Sequence, residues 1–86
     1  MQSYSGSYEL KELNLVFKIW VEDGELFGQS ENRPGPRATM QATGNDHFIT
    51  KEDEDAEVTF VRDANGKIVA MDVKQRGMVK TAQKIR

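Results

Sequence analysis

No cysteine occurs among the 86 residues, which excludes disulfides, thiol nucleophiles and thiolate metal sites. No apolar run approaches the ~18 residues that a membrane-spanning helix needs. The opening Met1-Gln-Ser-Tyr-Ser-Gly has neither a basic start nor an apolar stretch, so it is not a signal peptide. There is one histidine, one tryptophan and two prolines. The serines Ser3, Ser5, Ser7 and Ser30 begin no Ser-x-x-Lys and lie in no Gly-x-Ser-x-Gly. Lys80-Thr81-Ala82 lacks the glycine of Lys-Thr-Gly, and there is no phosphate-binding glycine loop. A formal charge of −2 gives no general case for nucleic acid as a partner.

What is present is a regular punctuation of turns. Ser5-Gly6, Asp23-Gly24, Arg33-Pro34-Gly35-Pro36, Gly44-Asn45-Asp46, Asn65-Gly66 and Arg76-Gly77 separate short runs rich in Val, Ile, Phe, Thr and Tyr. Asp-Gly and Asn-Gly suit the positive φ of tight hairpin turns. Spacings of ~8–12 residues between turns predict an all-β sandwich or barrel. Eight strands are expected, over Tyr4–Leu10, Asn14–Glu22, Glu25–Ser30, Arg37–Thr43, His47–Lys51, Glu57–Arg62, Lys67–Lys74 and Met78–Ile85.

Side chains alternate faces along a strand. Leu13, Leu15, Phe17, Ile19 and Val21 should therefore face the core, with Val16, Lys18 and Trp20 on the other face. The expected core is Phe17, Ile19, Met40, Phe48, Val58, Phe60, Val69 and Met71. Phe27 should return beside Trp20 after the Asp23-Gly24 turn. Val16, Trp20 and Phe27 would then form an apolar outer patch rimmed by Lys18, Glu22 and Gln29, a candidate protein contact.

Charge is placed unevenly. Residues 1–61 carry 5 basic and 12 acidic groups, whereas residues 62–86 carry 7 basic and 2 acidic. A basic last edge serves first to prevent strand-to-strand aggregation. The run Glu52-Asp-Glu-Asp55 with Glu57 is the densest carboxylate cluster. It has no EF-hand spacing and no internal glycine, and it reads as a solvated loop. His47 precedes Phe48, a core candidate, and so should point outward, away from any nucleophile and orienting group. No catalytic residue, cofactor site or metal site is expected.

Several residues have clear backbone duties. Gly6 between Tyr4 and Tyr8 leaves a gap or kink in the first strand. Asp63 can bond the backbone ahead of it while Gly66 takes the positive φ of a hairpin, and Gly77 should do the same at the last turn.

The order of these pieces resembles a known family. The chain opens Tyr4-Ser-Gly6-Ser-Tyr8-Glu9-Leu10 and continues through Asp23-Gly24-Glu-Leu26-Phe27-Gly-Gln29 and a Pro/Gly loop. Met40 and Phe48 follow, then Val58-Thr-Phe60-Val-Arg-Asp63-Ala-Asn-Gly66-Lys67-Ile68, Val73-Lys-Gln75-Arg-Gly77 and Ala82-Gln-Lys84. This is similar to the DUF3471 domain, a small β domain at the C-terminus of bacterial serine hydrolases related to β-lactamases and penicillin-binding proteins. The resemblance implies a larger exported parent, periplasmic or extracellular, whose catalytic domain carries Ser-x-x-Lys and Tyr-x-Asn. Neither motif stands here.

The expectation is therefore an all-β, up-and-down antiparallel meander of about eight strands, closing into a lipocalin-like barrel or half-barrel. Its expected role is that of a non-catalytic accessory domain that packs on or extends a serine hydrolase. The alternative is a small-ligand-binding lipocalin-like β-barrel. The implied partners are the catalytic domain or a second copy of the chain, with neither nucleic acid nor membrane insertion.

Overall fold

In the computed structural model, which describes residues 4–32, 35–52 and 55–86, the chain is a closed eight-stranded barrel. The strands are β1 (Gly6–Leu10), β2 (Leu15–Glu22), β3 (Glu25–Ser30), β4 (Ala38–Gly44), β5 (His47–Thr50), β6 (Glu57–Arg62), β7 (Ile68–Gln75) and β8 (Met78–Lys84). Every neighbour in sequence is an antiparallel neighbour in space, and β8 closes on β1 through Tyr8↔Lys84 and Glu9↔Gln83.

The turns carry the positive φ that their residues suit. Asp23 and Gly24 sit at 52° and 79°, Arg76 and Gly77 at 54° and 78°. Two successive positive values give the mirror-image turn whose twist matches that of the flanking strands. At the β6–β7 hairpin the Asp63 carboxylate accepts from the Asn65 and Lys67 amides at 2.9 and 3.0 Å, and Gly66 takes a φ of 81°.

The core follows the alternation. Tyr8, Leu10, Ile19, Leu26, Met40, Phe48, Val58, Phe60, Ile68, Met71 and Ala82 are buried together, with Tyr4, Leu15, Phe17, Val21 and Val73 packed against them. Two expected positions are corrected. Leu13 does not continue the inward face of β2. It ends a single 3-10 turn (Lys11–Leu13) that closes on Asn14 in the left-handed region, and it lies 43% exposed. Asn accepts that conformation readily, so the chain turns there before the strand begins.

Val69 is not a core residue either. The register of β6 and β7 shifts between Val61↔Ala70 and Arg62↔Ile68, which leaves Val69 as the extra residue of a bulge. A bulge inverts the alternation on one side of it. Ile68 therefore takes the interior position and Val69 turns out to solvent.

Candidate functional site

The barrel has two unlike ends. At the first, the N-terminal segment forms a plug. The Tyr4 ring lies 4.5 Å from that of Phe60 and 5.3 Å from that of Phe48, while Tyr8 lies edge-on to Phe60 at 5.8 Å. The Tyr8 hydroxyl donates to the Tyr4 carbonyl at 2.7 Å. Burial pushes the Tyr8 phenol up to about 12.

The Tyr4 hydroxyl donates to Asp46 at 2.6 Å, and Arg62 grips the same carboxylate through Nε at 2.8 Å and a terminal nitrogen at 3.0 Å. These bonds, with Arg62 the largest cause, hold the Asp46 carboxyl below its usual range. The bond to Asp46, and then burial, push the Tyr4 phenol above its own. A shallow basin of about 590 Å³ opens over this network. Tyr4, Asp46 and Arg62 on its floor are engaged with one another, so the arrangement holds the barrel end shut.

Gly6 explains the spacing of the two tyrosines. Its φ is 149°, and a Cβ there would collide with the Arg86 carbonyl oxygen and the Lys84 side chain. Only glycine lets the end of the chain lie this close to β1. The neighbouring seam bonds run from Ser7 N to Arg86 O at 3.2 Å and from Ile85 N to Ser7 O at 2.8 Å.

At the opposite end the interior is less filled. A hollow of about 280 Å³ reaches inside between Ile19, Met40, Met71 and Val58, and Thr50, Ser30 and Gln29 also line it. A second hollow, of about 410 Å³, lies between the β1–β2 connection and the β7–β8 hairpin. Phe17 and Val73 line both.

The expected outer patch divides. Trp20 and Phe27 are directly paired across β2 and β3, with ring centroids 5.7 Å apart. Phe27 is only 5% exposed; the Arg37 guanidinium lies 4.2 Å over its ring and is tied to Glu22 at 3.2 Å. Lys18 Nζ stands 5.7 Å from the Trp20 ring. Val16 lies further along β2, beyond Lys18, beside the 31–32 turn, where its amide donates to Asn32 at 3.1 Å.

His47 does point outward, but it has both neighbours that the linear sequence hid. Nδ1 lies 2.5 Å from the Thr43 hydroxyl and Nε2 lies 3.1 Å from a Glu57 carboxylate oxygen. The order hydroxyl, imidazole, carboxylate is that of an activated nucleophile. The three groups sit on the outer wall, however, and line none of the hollows described above. Their evident effect is to join β4, β5 and β6.

Of the acidic run, Glu52 accepts from the Thr39 amide and hydroxyl at 2.7 and 2.9 Å, which lowers its pKa. Asp53 and Glu54 lie outside the described residues, as do Arg33 and Pro34 of the Pro/Gly loop. Among the described residues no three His, Cys, Asp or Glu side chains converge as a metal site, and no helix is long and apolar enough to cross a membrane.

The profile of a domain of unknown function, DUF3471, matches residues 1–85. The chain belongs to the DUF3471 family. No curated protein and no solved structure matches it. In this DUF3471 domain the residues that carried the resemblance are builders of the fold. Tyr4, Gly6, Tyr8 and Phe60 make the plugged end, and Asp63, Gly66 and Gly77 make two hairpin turns.

Proposed function

We propose that this DUF3471 domain is a non-catalytic accessory module of a β-lactamase-related serine hydrolase, packing on or extending its catalytic domain. The observation that carries the reading is the family assignment over nearly the whole chain, in a sequence without Ser-x-x-Lys, Tyr-x-Asn or Lys-Thr-Gly. The residues of the family pattern hold the barrel together rather than forming a reactive centre. The outer wall around Trp20, with Lys18 and the Arg37 that covers Phe27 beside it, is the contact that the reading assigns to the catalytic domain.

Two measurements test this. The isolated chain should turn over neither nitrocefin nor p-nitrophenyl esters above a buffer blank. Turnover abolished by Thr43→Val or His47→Ala would make the domain itself an enzyme. An antibody raised against the barrel should capture, from cells of the source, a larger polypeptide that a fluorescent penicillin or fluorophosphonate labels. Capture of an unlabelled protein of about this chain's own mass would reject the accessory role.

A further inference from the structure

The 410 Å³ hollow at the open end differs from the rest of the surface in three ways. Its floor is apolar, made by Leu10, Leu15, Phe17 and Val73. Its rim carries two exposed large apolar side chains, Met78 at 62% and Leu13 at 43%. Its charged lining is cationic only, from Arg76 and Lys80, with no carboxylate. Lys80 is held by Glu12 at 3.2 Å. Arg76 makes no ion pair or hydrogen bond with any described residue, although it stands at the tip of the β7–β8 turn over the hollow.

We propose that this hollow binds a medium-chain carboxylate, with the acyl tail along Phe17 and Val73 and the carboxylate on the Arg76 guanidinium. An apolar cleft of this size with one convergent cation matches a ligand that has one anionic end. Phe17 and Val73 also line the 280 Å³ interior hollow, so a longer tail continues past them between Ile19, Met40 and Met71. The proposal is independent of the accessory role, since it concerns the opposite end of the barrel from the plug and a different surface from the Trp20 wall.

The experiment is a calorimetric titration of the chain with hexanoate, octanoate and decanoate below their micelle concentrations. Affinity should rise about threefold or more with each added methylene, as expected for apolar burial. Decanol should bind about tenfold more weakly than decanoate, through loss of the charge-assisted bond. Decyltrimethylammonium should show no saturable binding.

Arg76→Glu should abolish the preference for decanoate over decanol with the thermal midpoint unchanged, because that side chain is exposed and unpartnered among the described residues. Leu13→Ser should weaken all tails alike. Equal binding of the anionic and cationic amphiphiles, unchanged affinity in Arg76→Glu, or no saturable binding of decanoate would overturn the proposal. So would a dimer, seen by sedimentation, that decanoate does not dissociate and Met78→Glu does, since the hollow would then be a contact between copies. Cosedimentation with phosphatidylglycerol vesicles that decanoate competes away would assign the same chemistry to bilayer lipid, and retention in the supernatant would assign it to the free acid.

Discussion

At the scale of single residues, the carboxylates that shape this barrel are held ionised by specific donors. Asp46 is gripped by Arg62 and Tyr4, Asp63 by the Lys67 and Asn65 amides, and Glu52 by Thr39. All three pKa values are lowered in the folded state, so folding favours the carboxylate over the acid. The stability they contribute is full above about pH 5, beyond their unfolded values, and is lost as pH falls through their folded values. The urea midpoint should therefore drop between pH 5 and pH 2.5, and Asp46→Asn should flatten that slope while lowering the midpoint at pH 7. The two phenols act at the other extreme. Tyr4 and Tyr8 are raised, so the stability of the neutral forms holds below pH 10 and is lost as pH rises through about 12 for Tyr8. Gly6 admits a second prediction of this kind. Alanine there meets the Arg86 carbonyl oxygen in a φ region that L side chains rarely adopt. Gly6→Ala should cost about 2–3 kcal/mol, from strain together with a loosened seam. An unchanged thermal midpoint would mean that the chain end does not pack there.

At the scale of the elements, the strands were legible because turn residues and alternation spoke together. Asp23-Gly24 and Arg76-Gly77 announced tight hairpins, and Phe48, Val58 and Phe60 announced an interior face. Two elements were less legible for local reasons. Leu13 has the right spacing for β2, and only the left-handed Asn14 takes it off the strand. Val69 has the right spacing in β7, and only the bulge opposite Val61 and Arg62 turns it out. A bulge is a property of two strands together, which a single strand's pattern does not contain. The His47 partners were hidden in the same way, since Thr43 and Glu57 come from the neighbouring strand β4 and from β6. The plug could be seen only as a spacing of tyrosines, because its other half, Asp46 and Arg62, lies far along the chain. Phe60 and Val69 test the bulge directly. Phe60→Ala should cost about 3–5 kcal/mol by emptying a small core. Val69→Ala should stay within about 0.5 kcal/mol, as a solvent-facing change. Comparable losses in urea midpoint would place Val69 back inside.

At the scale of the whole molecule, a closed barrel removes exposed strand edges, and it does so here across its shortest pairing. Strands β7 and β8 share six register pairs, from Ala70↔Gln83 to Gln75↔Met78, whereas β1 and β8 share two. What lengthens that seam is the end of the chain. Ile85 and Arg86 exchange two backbone bonds with Ser7, and the Arg86 side chain reaches Glu31 at 2.8 Å and the Ser7 hydroxyl at 3.1 Å. Non-local closure of this kind must overcome loop entropy with few contacts, so the seam should be where the barrel opens first. Amide exchange in β1 and β8 should therefore be faster than in β6 and β7 under native conditions. Removing Ile85 and Arg86 should lower the urea midpoint and speed exchange at Ser7 and Glu9, while leaving β6 and β7 amides to exchange only through global unfolding. If β1 and β6 amides lost protection together in the shortened chain, the barrel would open as one unit and the seam would have no separate weakness.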